Sequence, residues 1–418
     1  MSAPPGPTRP ASSGPGHPPE RGAAPPDAGR AMRGLVALAA AHYTAVIGFR
    51  VDVALAAVAA GLSPASIGLV LSTFALVPML LAVRGGQLLD RIGVRTPMIA
   101  GSALAAAGAA LCAALPHPAV LALATGLAGL GTMGFHLGMQ HCAGEFGGPA
   151  RRTANFNLLT MSFSISGLLG PTITGLVIDH AGHRPAFGLS MALLLVVLIG
   201  VRRFDFDRHL SPAAPARAPD EATEADAGSR AAAAFALLGA PHLRRLLIAS
   251  LLASASWDVY QFVLPLHAGT IGLSATSVGV AIAAFSAGSL SVRLLLPTLL
   301  AHARPARWMQ TALAVCVLAY AAAPLAGTLG PLLVLSFLIG TGPGIAQPLL
   351  MAALHHASPP GRAGEAAGLR MTLLAATQLA LPIGLGLIAG VLGTAALFWL
   401  YAGVAASIGI ALARAERR

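Results

Sequence analysis

From residue 34 onward the chain is a near-unbroken series of apolar runs, each about 20 residues long, the length that crosses a bilayer as a helix. The first six runs fall at 34–60, 66–89, 97–115, 118–144, 155–179 and 185–201. A polar stretch follows, and then six more at 244–268, 275–299, 308–326, 329–355, 366–389 and 393–413. The runs are continuously apolar. Strands of a membrane barrel would alternate with polar residues at every second position. Twelve transmembrane helices are therefore predicted. Breaks as short as Pro116-His117-Pro118 require consecutive helices to be antiparallel neighbours.

The two blocks repeat each other. Gly61-Leu62-Ser63 returns as Gly272-Leu273-Ser274, Phe74 as Phe285, Pro149 as Pro360, Arg151 as Arg362 and Pro171 as Pro382. Every pair is 211 residues apart, with no gap. A duplicated membrane bundle predicts two pseudo-symmetric six-helix halves with a polar seam between them, the plan of a secondary transporter.

Composition agrees with a lipid environment. Of 418 residues 56% are hydrophobic and 10% charged, and mean hydropathy is +0.75. Soluble domains carry about 25% charge. The net charge of +11 does not point to nucleic acid, because the basic residues follow the loops. All are Arg. They gather before the first run, after each even-numbered run and in the central polar stretch, whereas the opposite loops hold Arg184. This bias places both termini in the cytoplasm of a bacterial inner-membrane protein. With no Lys, the chain cannot form a phosphate-binding loop. Active transport by this chain alone would have to draw on an ion gradient. Cys112, Cys142 and Cys316 lie in or at the ends of apolar runs, too scattered for a disulfide framework.

Residues 1–32, rich in Pro, Gly, Ser and Ala, read as a disordered cytoplasmic tail. Residues 33–202 form the first six-helix bundle, 203–242 a flexible cytoplasmic linker and 243–414 the second bundle.

Between the second and third runs the sequence reads Gly86-Gln-Leu-Leu-Asp90-Arg91-Ile-Gly93-Val-Arg95. It resembles the G-x-L-x-D-R-x-G-x-R signature of the major facilitator superfamily, and the resemblance extends over about 33–414. It implies the all-α fold of that family, with twelve helices in two bundles, and a conformational latch at Gly86, Asp90, Arg91, Gly93 and Arg95. A small Gly86 lets helix ends approach, and Asp90 can accept from a neighbouring helix N-terminus. Arg91 and Arg95 would hold the loop at the anionic cytoplasmic surface. The family's latch docks near the eleventh span, here close to Gly364-Glu365. The fifth span carries Gly167, Gly170, Pro171 and Gly175, similar to the G-P-x-x-G-G element of proton-coupled antiporters, with Thr174 in place of one glycine. It predicts tight helix contact and bending. The Arg that such antiporters often carry in span four is replaced by Ala122, Ala124 and Thr125. Gly129-Leu-Gly131-Thr-Met-Gly134 sits in mid-span after no strand, and so does not bind a dinucleotide.

Ionisable groups inside spans cost about 2.5–3.5 kcal/mol each on insertion scales and mark function by default. Arg50 and Asp52 lie in span one, two positions apart and pointing in nearly opposite directions. Asp258 and Gln261 share a face of span seven; His136 and Gln140 share one of span four. Gln347 repeats His136, and Arg370 lies in span eleven. Together with Tyr43 these residues are expected to line one cavity between the halves. Asp258 or Asp52 is the expected proton carrier, since removal from water disfavours a charged carboxylate. Asp179-His180-Ala-Gly-His183 has metal-ligand residue types but no fourth ligand, so no metal or other cofactor is expected.

The expected function is secondary transport of a small organic solute by a monomer in the bilayer, through proton-coupled efflux. The alternative is uptake of a metabolite or organic anion, with Arg50 and Arg370 clamping a carboxylate. A membrane enzyme would need clustered His, Asp or Glu at one membrane face, and the sequence carries none.

Overall fold

The computed structural model describes residues 28–115, 117–206, 237–302, 305–358 and 363–416. They form twelve long helices. The first six are α1 (Ala28–Ala59), α2 (Pro64–Ile92), α3 (Arg95–Ala114), α4 (Pro118–Glu145), α5 (Pro149–Ala181) and α6 (His183–Arg203). The second six are α7 (Pro241–Thr270), α8 (Ala275–His302), α9 (Pro305–Ala322), α10 (Leu329–Ala357), α11 (Ala363–Leu392) and α12 (Thr394–Glu416). Among the described residues, ten are long and apolar enough to cross a membrane, and the other two contribute the apolar segments Pro64–Leu76 and Thr394–Ser407.

Two boundaries differ from the sequence reading. Helix α1 begins at Ala28, inside the expected tail, because Met32 packs in the core with Leu35 and is only 1% exposed. The linker boundary shifts as well. Phe206, three residues past the end of α6, is buried against Phe146 and Phe204 of the first half. Residues 207–236 and 1–27 of the expected linker and tail lie outside the described residues.

The repeat is present in three dimensions. Within the first half α1 packs on α4, α5 and α6, α2 on α4, and α3 on α4 and α6. Within the second, α7 packs on α10, α11 and α12, α8 on α10, and α9 on α10 and α12, the same set shifted by six helices. Between the halves α2 meets α11 and α5 meets α8, each contact the image of the other, and α1 meets α7.

The symmetry reaches single residues. Gly61 and Gly272 both take a positive φ, 71° and 70°, at the turns that enter α2 and α8. The following Ser63 and Ser274 each accept the backbone N–H three residues on, at 3.2 Å in both copies. A methyl group at Gly129 would strike the Phe74 carbonyl, and one at Gly340 the Phe285 carbonyl. The same pattern closes the junction. Gly68 lies against the Pro382 carbonyl and Gly279 against that of Pro171; Gly386 meets Pro64 and Gly175 meets Ala275. Small residues let backbones come this close, and in lipid such packing replaces the hydrophobic drive. All four contacts lie at the end that the arginine distribution assigns to the outside, so the halves are closed there.

A side chain at the Gly68 or Gly279 contact therefore wedges the outer end open. With Gly279→Val, a cysteine introduced as Ser286→Cys should react from outside with a membrane-impermeant thiol reagent at least about tenfold faster than Ser286→Cys alone, a population shift readable in labelling kinetics. An unchanged rate would show that this glycine does not set closure.

Candidate functional site

Enclosure identifies the helices that build the site. In α7 72% of the apolar window is buried and in α1 56%, against 22% in α11. These two central helices face each other across the junction. Below their contact lies a cavity of about 380 Å³, walled by both halves. In size it falls in the range of small-molecule sites.

Its charged groups are few. Arg50 of α1 reaches across to Asp258 of α7, with Nη2 3.9 Å from Oδ1. The guanidinium also lies over the Phe74 ring, 4.7 Å from its centroid. The side chains are 21% and 7% exposed, so the pair is largely removed from water. Gln378 of α11 lines the same space. Farther from the outer end, Arg370 donates from Nε to Ser250 Oγ at 2.6 Å and from Nη2 to Ser254 Oγ at 3.2 Å. Arg293 of α8 donates from Nη2 to Gln347 Oε1 of α10 at 2.9 Å. Aromatic rings complete the wall: Tyr43, Phe74, Phe163, Trp257 and Phe285.

Six of the nine expected cavity residues gather here. Tyr43, Arg50, Asp258, Gln347 and Arg370 line the main space. Gln261, one turn toward the outer end from Asp258, lines a small chamber with Arg50, Asp258 and Pro382. Asp52 is a correction. It is fully buried, away from the cavity, and its Oδ1 lies 2.6 Å from His183 Nδ1 at the start of α6. Two positions along a helix turn a side chain through about 200°, so Arg50 facing the junction sends Asp52 to the opposite side. His136 and Gln140 also stand back from the wall. His136 Nδ1 is 2.8 Å from the Tyr43 hydroxyl and its Nε2 is 2.6 Å from Gln140 Nε2, so both support Tyr43 from behind.

The motifs have separate tasks. The side chains of Gly86, Asp90 and Arg91 lie outside the described residues, as do those at Gly364-Glu365 where the latch would dock. Gly93 has φ +72° at the turn into α3. Arg95 is exposed at the start of α3, and its Nη2 donates to the Arg202 carbonyl at 2.6 Å, a cation on the carbonyl end of α6 within the same half. In α5, Gly170 lies against the Thr44 carbonyl of α1, Gly167 against Ser286 of α8, and Gly175 and Pro171 against α8 as above. The element thus wedges α5 between the two halves. Asp179 caps α8, accepting from the N–H groups of Ala275 and Thr276 at 3.0 and 2.8 Å.

The sequence reading passed over the aromatic wall and Arg293 as cavity residues. A signal for the wall existed: Phe74 and Phe285 are repeat partners, and both line the space. Further lining positions pair at the same spacing, as Tyr43 with Ser254, Val46 with Trp257, Ile47 with Asp258 and Phe163 with Leu374.

The separation of the two aspartates is testable. Asp52→Ala strips His183 of its partner and should cost about 1–3 kcal/mol, seen as a lower melting temperature of the purified protein, with substrate selectivity unchanged. A shift in selectivity would return Asp52 to the cavity.

No curated protein matches the chain in sequence. Solved structures match its fold. The nucleoside transporter NupG superposes with a TM-score of 0.73 at 14% identity, covering 91% of this chain and 98% of that one. A peptide transporter POT in complex with sulfate gives 0.73 at 17% identity, covering 93% and 94%. A POT family transporter in complex with 5-aminolevulinic acid gives 0.70 at 14%, covering 92% and 95%. The sequence profile of the Major Facilitator Superfamily matches residues 35–382 and 246–418, nearly the whole helical region. With two repeated six-helix halves around one central cavity, the chain belongs to the Major Facilitator Superfamily.

Proposed function

We propose that this chain is a secondary active transporter that carries a small organic anion together with a proton, inward across a bacterial cytoplasmic membrane. It works as a multi-pass monomer with both termini in the cytoplasm. One observation carries the reading: among the described residues, the cavity wall holds Arg50, Arg293 and Arg370 against a single carboxylate, Asp258. Cations so deep in a membrane-spanning bundle are costly without counter-charge. An anion arriving from water supplies it, whereas a cation would add to the excess.

The same count supports the direction of coupling. A proton on Asp258 cancels the one negative charge on the wall and raises the positive excess. An anion then binds more tightly, and by reciprocity the bound anion favours the proton. Ligands that strengthen each other's binding travel together. Under an inward proton gradient that means uptake. Alternating access follows from rocking of the halves about α1 and α7, with the glycine contacts closing the outer end. The expected efflux rests on the Gly167–Gly175 element, whose wedge between α1 and α8 is its structural support. It stands as the second reading.

Liposomes holding the purified protein decide between them. With acid outside, they should accumulate labelled organic anions against a gradient. Asp258→Asn should abolish that accumulation while leaving anion exchange without a pH gradient within about threefold of the parent, since a lost coupling site affects only the driven step. Driven accumulation that survives Asp258→Asn would remove Asp258 as the proton carrier. Acid-driven extrusion would select efflux.

A further inference from the structure

We infer that the transported anion carries two acidic groups at opposite ends of an apolar or planar body. The inference rests on the proposed anion transport and concerns how the cations of the cavity are spaced. They lie at two levels. Arg50 marks the upper one, beside Asp258 on a wall that Gln378 also lines. Arg293 and Arg370 mark the lower. On α11, Gln378 and Arg370 are eight residues apart, a rise of about 12 Å. On α8 the same interval separates Arg293 from Phe285, whose ring meets Trp257 and Tyr260 on either side of Asp258. Two helices thus give the same spacing.

The two levels also differ in how their charge is met. Arg50 has a carboxylate. Neither Arg293 nor Arg370 has one within ion-pair distance among the described residues. Arg370 is held by two serine hydroxyls and Arg293 by an amide. Arg293 Nε, like Arg50 Nε, is buried with no hydrogen-bond acceptor among the described residues. Hydroxyls and amides orient a guanidinium but do not neutralise it. One acidic group can serve one level only. A second, reaching the other level, is met by Arg50 once a proton has taken Asp258 out of competition. Allowing for the reach of the arginine side chains, the acidic groups should lie about 6–12 Å apart. The wall carries aromatic rings, with Tyr43 stacked on Phe163 at 4.0 Å, interspersed with the hydroxyls of Ser286 and Ser289. The rings suit a hydrocarbon or planar body. Because Arg50 belongs to the first half and Arg293 and Arg370 to the second, such an anion bridges the halves.

The test uses linear dicarboxylates from succinate to sebacate, each beside the monocarboxylate of equal carbon count, titrated against the purified full chain by thermal shift. A longer dicarboxylate, between adipate and sebacate, should bind about tenfold or more tighter than its monocarboxylate, as a second charge-assisted contact gives. Succinate should show little of this gain. Arg370→Gln should erase the gain and leave monocarboxylate binding in place. Arg370→Lys, which keeps the charge, should retain part of it and guards against a folding defect. If mono- and dicarboxylates bind alike at every length, the two-headed substrate is wrong while anion transport stands. If neither class binds and no anion is transported, anion transport itself falls.

Discussion

A guanidinium and a carboxylate cannot stand alone in hydrocarbon, and the contact between Arg50 and Asp258 follows from that constraint. Each residue lies on the most enclosed helix of its own half. Lipid solvates the outer faces of both bundles, so the junction between them is where water and charge can be admitted. The ion pair forms where α1 and α7 meet. At 3.9 Å it is a loose contact, not a tight bidentate clasp. A tight buried pair would fix one state of the molecule, whereas a loose one can be opened by a proton or by a competing anion. The pair thus satisfies the membrane and remains available to the cargo.

Closure of the outer end uses another kind of force. Glycines at 68, 175, 279 and 386 bring backbone onto backbone, and their carbonyl partners come from the opposite half. No apolar side chain gains from leaving lipid for lipid-like protein, so close approach and dispersion must supply the adhesion. Asp179 adds a charged cap on α8, at a position whose repeat partner is Gly390. The α5·α8 seam is therefore fastened by a side chain that the α2·α11 seam lacks. The two seams share a frame and differ in this cap.

The fold was open to reading because lipid imposes a length and a polarity on every span. The twelve runs and the spacing of 211 residues reappear as helices and as symmetric contacts, with errors confined to ends such as Ala28 and Phe206, where packing reaches past the apolar run. The site was legible in part. Arg50, Asp258, Gln347 and Arg370 could be found because a charge or amide in an apolar run is rare. Asp52 carried the same signal and has another use, since periodicity gives a side chain's face relative to its neighbours, not which neighbour helix it meets. His183 accepts that role from a loop position that composition marks as solvent. The aromatic wall was hidden because a phenylalanine in an apolar helix is unremarkable until its partner in the other copy is known to face the same space.

Comparison of the two copies shows how a symmetric frame yields an asymmetric site. Positions that set helix approach are kept: Gly68 with Gly279, Gly129 with Gly340, Gly175 with Gly386 and Pro171 with Pro382. The charged positions that face the cavity differ in kind. Arg50 is matched by Gln261, Asp258 by Ile47, Arg370 by Leu159 and Arg293 by Ala82. Rocking requires the halves to pack on each other in equivalent ways at both ends, which holds the first group constant. A cargo is not bound to sit on the twofold axis of the frame, so the second group is free to diverge. The outcome is a division of labour. The first half contributes one cation and a mostly apolar surface, and the second contributes the carboxylate and the two guanidiniums that lack one. A solute that must touch both surfaces to be held is a solute that can draw the halves together.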